Sequence, residues 1–311
     1  MVRRPLTLVE RGESEVPFLI TDEQVASVLT WDLSLDSARE TFREQAAGRV
    51  LLTDPRVKRL LFADTGRGYR LKGAALTGIG VAGLRASRNV ILNSWPDMDF
   101  LGVVEERTAY AHRVGAVTAV ALESLGREGF DSVCLFGAGR LAHSSLEALA
   151  HRYSLGRVTI LSRRAASREA LACRFRRRGL DVRAGNDPEE AVRSADLVIT
   201  MTNADEVLVR DEWVEESTVV VSTGGGQEVD FDLLERAGGL FVDDLEGCLE
   251  SGDLCRAREA GRYRPEWVHG TLAGLLAEPQ AHTWRGPTIL IPRGMAVMDI
   301  MQAHRVVQQI R

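Results

Sequence analysis

The residues with the clearest chemical potential lie in Val133-Cys-Leu-Phe-Gly-Ala-Gly-Arg-Leu-Ala142, an apolar run that breaks on glycines straight into a helical pattern. Gly137 permits a tight turn, Gly139 lets a ligand come close to the backbone, and Ala142 is small enough for the helix to pack on its strand. The amides of the first helical turn, Arg140 through Leu141 to Ala142, then face an anion, so the segment reads as a dinucleotide-phosphate site. About 20 residues further on, an acid would meet the 2′-hydroxyl of NAD. The chain offers Ser162-Arg163-Arg164 there instead. Guanidinium groups suit a 2′-phosphate through planar, charge-assisted bonds, which makes NADP(H) the expected cofactor and NAD(H) the alternative.

Such a turn works only where a strand delivers it and a helix receives it. Residues 131–136 are apolar and strand-like, 141–149 have helical spacing, and 158–162 supply a second strand. Residues 180–184, 196–201, 218–222 and 239–243 read as further strands, with a helix over 188–194 capped by Asp187. Strands apolar on both faces and separated by helices imply a doubly wound parallel sheet of the Rossmann type. Ligands in such sheets sit beyond the strand carboxyl ends, which places Thr202, Asn203 and the Gly224-Gly-Gly226 turn near the cofactor.

The first hundred residues read differently. A helix opens at Thr21, another covers 35–47, and short glycine-punctuated strands follow at 57–63, 69–76 and 89–92, forming a separate α/β region. A small-residue helix over 109–125, closed near Gly126, crosses between the two regions.

Composition excludes several classes. A net charge of -5 with both signs interspersed leaves no nucleic-acid footprint. Cys134, Cys173, Cys248 and Cys255 are scattered, so neither a metal site nor a disulfide framework is indicated. Residues 1–20 carry acids and no apolar leader segment, and no stretch approaches the roughly 18 apolar residues of a membrane span. A cytoplasmic protein is the expectation. Lys58 and Lys72 are the only lysines, so a lysine-dependent step has two sources.

Three segments together carry a family resemblance: the phosphate turn, the preceding helix His112-Arg113-Val-Gly-Ala-Val-Thr-Ala-Val-Ala121, and the late Gly294-Met-Ala-Val-Met-Asp-Ile300. In this order, and with Phe241-Val-Asp-Asp244 and Gly252-Asp-Leu254 between them, they resemble the ornithine cyclodeaminase and mu-crystallin family over most of the chain. The resemblance implies that Arg113 holds a substrate α-carboxylate by a bidentate pair. It implies that Lys72, in a shorter segment than the family pattern, meets the same carboxylate and moves a proton at the reacting carbon. Arg56 after Pro55 resembles a further carboxylate-binding arginine, while Asp299 is expected to fix the terminal segment rather than do chemistry. Residues 1–115 with 286–311 would form the substrate and dimerisation domain of a homodimer, and 116–285 the nucleotide domain.

One departure from the family pattern bears on the reaction. Cyclodeaminases carry an aspartate in the turn after the fifth strand, where this chain reads Ser222-Thr-Gly-Gly-Gly-Gln-Glu-Val-Asp230. The resemblance puts Gly226 where that carboxylate belongs, and a glycine is no general base. Glu228 and Asp230 are substitutes in principle, yet each is better read as an acid at a helix N-terminus. The tail and Leu84-Arg-Ala-Ser87 are closer to a branch resembling siderophore-pathway synthases, which pass through an imine with a nicotinamide. The expected function is therefore an NAD(P)H-dependent oxidoreductase acting on the C–N bond of an α-imino or α-amino acid, as an imine reductase or opine-type dehydrogenase. The alternatives are a redox-neutral cyclodeaminase and a non-catalytic NADPH-binding protein of the mu-crystallin kind.

Overall fold

Alternating apolar residues in the first third of the chain build a mainly antiparallel sheet. The computed structural model describes residues 17–278 and 285–311, so the expectation for residues 1–16 lies outside the described residues. The strands are β1 (Phe18–Ile20), β2 (Val50–Leu52), β3 (Lys58–Leu61), β4 (Gly68–Leu76), β5 (Val81–Ala86), β6 (Asn89–Ser94) and β7 (Phe100–Glu105). They run in the order β1-β7-β6-β5-β4-β2, with β3 also on β4; only the β1–β7 pair is parallel. Helix α1 (Asp22–Val28) starts at the Thr21–Gln24 capping box, and α2 (Trp31–Ala46) follows. Strands β5 and β7 escape the sequence reading because Gly83, Gly102 and small neighbours dilute their period-two signal.

Helix α3 (Arg107–Glu123) is buried along nearly its whole length, as alanine, valine and glycine allow close packing on every side. It starts two residues earlier than the sequence suggests. The chain leaves it through Ser124 and a left-handed Gly126 at φ 62°.

The second sheet has β8 (Gly129–Phe136), β9 (Ser154–Leu161), β10 (Val182–Ala184), β11 (Leu197–Thr200), β12 (Val219–Ser222), β13 (Gly239–Val242), β14 (Gly270–Thr271) and β15 (Thr288–Ile291). Its order is β10-β9-β8-β11-β12-β15-β13-β14, parallel throughout. Helices α4 (Arg140–Arg152), α5 (Ala165–Arg176), α6 (Pro188–Arg193), α7 (Phe231–Glu235), α8 (Leu245–Glu250), α9 (Asp253–Glu259) and α10 (Leu272–Ala277) connect these strands. This is the doubly wound parallel sheet of the sequence reading, and the order in which strands are added reverses between β8 and β11.

One boundary moves. Strand β15, expected to return with the tail from residue 286, pairs instead between β12 and β13. Its run Ile289-Leu-Ile291 is buried, as a central parallel strand requires. The return to the first sheet comes after Ile291, with α11 (Ala296–Ile310) lying on α2, β4, β5 and β6. Among the described residues no helix is long and apolar enough to cross a membrane.

Candidate active site

The carboxyl ends of β8 and β11 open onto a cavity of about 350 Å³ whose far wall is the first sheet. On the nucleotide side it is lined by Gly139, Arg140, Leu141, Ala142, Thr202 and Asn203. Gly137 shapes the turn from beneath: its φ is +123°, and a Cβ there would lie 2.5 Å from the Met201 carbonyl oxygen. A side chain on Gly139 would meet no atom within 4 Å, so this position faces open space, as close approach of a ligand requires. No side chain caps α4 at Gly139, and its first amides remain available to an anion. These features fit a dinucleotide pyrophosphate. Ser162, Arg163 and Arg164 follow the end of β9 outside the cavity lining, with both arginines exposed. The Ser162 hydroxyl donates to the Arg164 carbonyl at 3.1 Å.

The opposite wall carries charge. Arg113 Nε donates to Asp299 Oδ1 at 2.8 Å, and no hydrogen-bond partner among the described residues takes its two terminal nitrogens. Asp299, in the first turn of α11, thus positions Arg113. Lys72 Nζ donates to the Gly294 carbonyl at 3.0 Å, and burial pushes its ammonium down to about 8. Gly294 itself must be glycine, because at φ +88° a Cβ would run into Arg113 Nη1. Its amide donates to Asp243 Oδ2 at 2.5 Å, and Asp243 Oδ1 accepts from the Asp244 amide. Asp243 of the sequence motif therefore holds the tail segment that holds both Lys72 and Arg113.

Arg56 lines the same cavity, but its guanidinium is engaged by Asp244 at 2.8 Å and Glu246 at 2.6 Å. It is a strut between the two sheets rather than an open carboxylate receptor. Arg85 and Tyr110 also stand on this wall, although the sequence assigns neither to the site. Arg85 is bound to Glu106 at 2.5 Å, and Tyr110 carries the Arg85, Arg113 and Arg140 guanidinium carbons at 4.5, 4.8 and 5.8 Å from its ring centroid. Tyr110 precedes Arg113 by one helical turn, the one signal by which it was readable.

The turn after β12 corrects two expectations. Asp230 caps α7, as read, accepting from the Asp232 amide at 3.2 Å. Glu228 does not sit at a helix terminus. It is fully buried, Oε1 accepts from the Thr202 amide at 3.1 Å and from the Thr202 hydroxyl, and burial raises its carboxyl above the usual range. The residue facing the cavity is Gly225, where a Cβ would find only Arg293 Nη2 at 4.0 Å. Gly226 points at the Ala204 carbonyl and Asp205 instead, so the family carboxylate would have to come from position 225, not 226. Arg293 fastens this turn, donating to the Thr223 carbonyl at 2.5 Å, to the Gly224 carbonyl and to Ser251 Oγ at 3.1 Å.

Known proteins share this arrangement of chain. Alanine dehydrogenase from Archaeoglobus fulgidus is 28% identical over 308 residues, 92% of each chain, and the ketimine reductase mu-crystallin of Mus musculus is 31% identical over 70% of this chain and 68% of its own. A solved archaeal alanine dehydrogenase dimer with bound NAD superposes with a TM-score of 0.84 at 27% identity, covering 94% of this chain and 95% of that one. Thermococcus litoralis Delta(1)-pyrroline-2-carboxylate reductase, solved with NADH and L-proline, shares the fold with a TM-score of 0.85 at 19% identity, covering 94% and 96%. Residues 81–311 match the profile of the ornithine cyclodeaminase/mu-crystallin family, and the chain belongs to that family.

Proposed function

We propose that this protein is a nicotinamide-dependent oxidoreductase, with NADP(H) preferred, that acts on the C–N bond of an α-imino or α-amino acid. The observation that carries the reading is that Lys72 and the unspent nitrogens of Arg113 face the same cavity as the Gly139–Ala142 turn. Gly137, Gly139, Arg140, Leu141, Ala142, Thr202 and Asn203 would hold the cofactor, with Ser162, Arg163 and Arg164 at its ribose end. When bound, the nicotinamide supplies a hydride to the α-carbon or accepts one from it. Arg113 and Lys72 bind the α-carboxylate and fix that carbon. Lys72, with its ammonium near 8, gives a proton to the imine nitrogen in reduction and takes it back in oxidation.

Deamination needs a base beside the α-amino group, and the cavity carboxylates are Asp243 and Asp244. Asp243 is occupied by two backbone amides, and Asp244 by Arg56 and the Gly247 amide. This favours redox over redox-neutral chemistry. The test is a spectrophotometric assay with NADPH and imino acids formed in place from 2-oxo acids and an amine. Stoichiometric loss of reduced nicotinamide supports the reading; ornithine-to-proline conversion with no net NADPH loss overturns it. A homodimer is part of the proposal, because Leu51, Leu60, Leu61, Phe62 and Tyr69 leave apolar side chains exposed on β2, β3, the β3–β4 connection and β4. A monomeric mass by light scattering at micromolar concentration would remove it.

A further inference from the structure

The whole chain is acidic, yet seven cationic side chains and only two carboxylates line the cavity. Most of these cations are already answered. Arg56, Arg85 and Arg113 bind Asp244, Glu106 and Asp299, Arg293 is fixed on backbone carbonyls, and Arg140 donates to the Arg107 carbonyl at 2.6 Å. Arg70 differs: no hydrogen bond or ion pair with a described residue takes its guanidinium.

Its place in the sheet adds a second observation. Arg70 lies directly opposite Arg59 in the β3–β4 register, and Lys72 directly opposite Arg85 in the β4–β5 register. Residues two apart on a strand share a face, so four cations cluster on one side of three adjacent strands. Like charges directly opposite one another destabilise a sheet. Glu106 and Asp299 relieve the Lys72–Arg85 end. No ion pair among the described residues relieves the Arg59–Arg70 end, where both arginines are exposed and only water screens the two charges.

Resting on the oxidoreductase reading above, we infer that Arg70 is a specificity residue that receives a second, side-chain carboxylate, so that the substrate is a dicarboxylic imino or amino acid. Along β4, Arg70 is about 7 Å from Lys72. With the α-carboxylate on Lys72 and Arg113, an aspartate- or glutamate-sized side chain spans that interval. A substrate with an apolar or cationic side chain would leave Arg70 facing only other cations.

The experiment compares NADPH consumption with methylamine plus 2-oxoglutarate against methylamine plus 2-oxopentanoate, for the unmodified protein and Arg70→Gln. The unmodified protein should favour the dicarboxylic imine, and Arg70→Gln should lower the ratio of the two kcat/KM values by at least about tenfold. NADPH affinity and 2-oxoglutarate binding to the protein–NADP complex are measured by calorimetry on both forms. An unchanged ratio with both imines reduced overturns the inference while the oxidoreductase reading stands. Loss of NADPH affinity in place of the ratio change also overturns it, since Arg70 would then serve the cofactor. Arg70-dependent 2-oxoglutarate binding without turnover of either imine sustains the dicarboxylate site and removes the redox reading.

Discussion

The cofactor end of the cavity is served mainly by backbone of the parallel sheet, and the substrate end by side chains gathered on the antiparallel sheet. On the parallel side, the groups that face the ligand are amides at the start of α4, reached because Gly137 and Gly139 carry nothing. On the antiparallel side, Lys72, Arg85, Arg113 and Asp299 come from β4, β5, α3 and α11, and each is held by another side chain or a distant carbonyl. A site of the first kind is local in sequence. A site of the second kind exists only when four remote segments arrive together, and damage to it should reach the fold as well as the chemistry.

The largest effect tests that coupling. Arg113→Ala should lower kcat/KM for an imino acid by about a thousandfold, because it removes the carboxylate anchor. It should also destabilise the fold by about 3–5 kcal/mol, since buried Asp299 loses its hydrogen-bonded partner and keeps only Arg85 Nε at 3.7 Å. Arg113→Gln combined with Asp299→Asn should recover much of the melting temperature and little of the activity, while NADPH still quenches tryptophan fluorescence. Full recovery of activity by the double variant would break the division between anchor and scaffold.

Lys72→Met comes next, with a loss of about a hundredfold. The sign of its pH dependence follows from its lowered ammonium. Reduction needs the proton on Lys72, so kcat/KM in that direction should fall as pH rises through about 8, and oxidation should rise over the same interval. The variant should flatten both limbs. A limb at pH 8 that survives in Lys72→Met assigns the titration to another group.

Gly137→Ala and Gly139→Ala sharpen the backbone side. The first forces a Cβ onto the Met201 carbonyl at a positive φ, at about 1–3 kcal/mol, and should weaken NADPH binding and stability together. The second meets no protein atom, so stability should hold and any loss of NADPH affinity reports the ligand's own approach.

What the sequence made legible follows the same division. The β8 turn, its helix, the Asp187 and Asp230 caps and the parallel run of strands were readable, because each is specified by a few consecutive residues. The motif residues Lys72 and Arg113 were readable through the family pattern, and the structure brings them into one cavity. The neutralisation of Arg56 was not, since Asp244 lies 188 residues away. The placement of β15 was hidden for a related reason: Thr288–Ile291 adjoins the tail in sequence, yet its apolar side chains are satisfied between two strands of the other sheet. Glu228 was misread because an acid two residues before a helix cap looks like a terminal charge, and only burial beneath Gly224 shows otherwise.

The smallest effect concerns Arg163 and Arg164, which lie outside the cavity lining at the end of β9. Both lie just past the carboxyl end of β9, exposed, beside the Ser162 carbonyl that Arg168 Nη1 already holds at 2.7 Å. No acid stands among these residues to accept from a ribose 2′-hydroxyl, and two guanidinium groups are free to meet a 2′-phosphate. Replacing both with Ala should lower the NADPH-over-NADH ratio of kcat/KM by more than about tenfold. Melting temperature should not move, because neither side chain is buried. The change should appear in NADPH affinity rather than in the rate with saturating NADH, since the pyrophosphate contacts belong to the α4 amides and remain intact. An unchanged ratio would show that the backbone side needs no side chain to choose its cofactor.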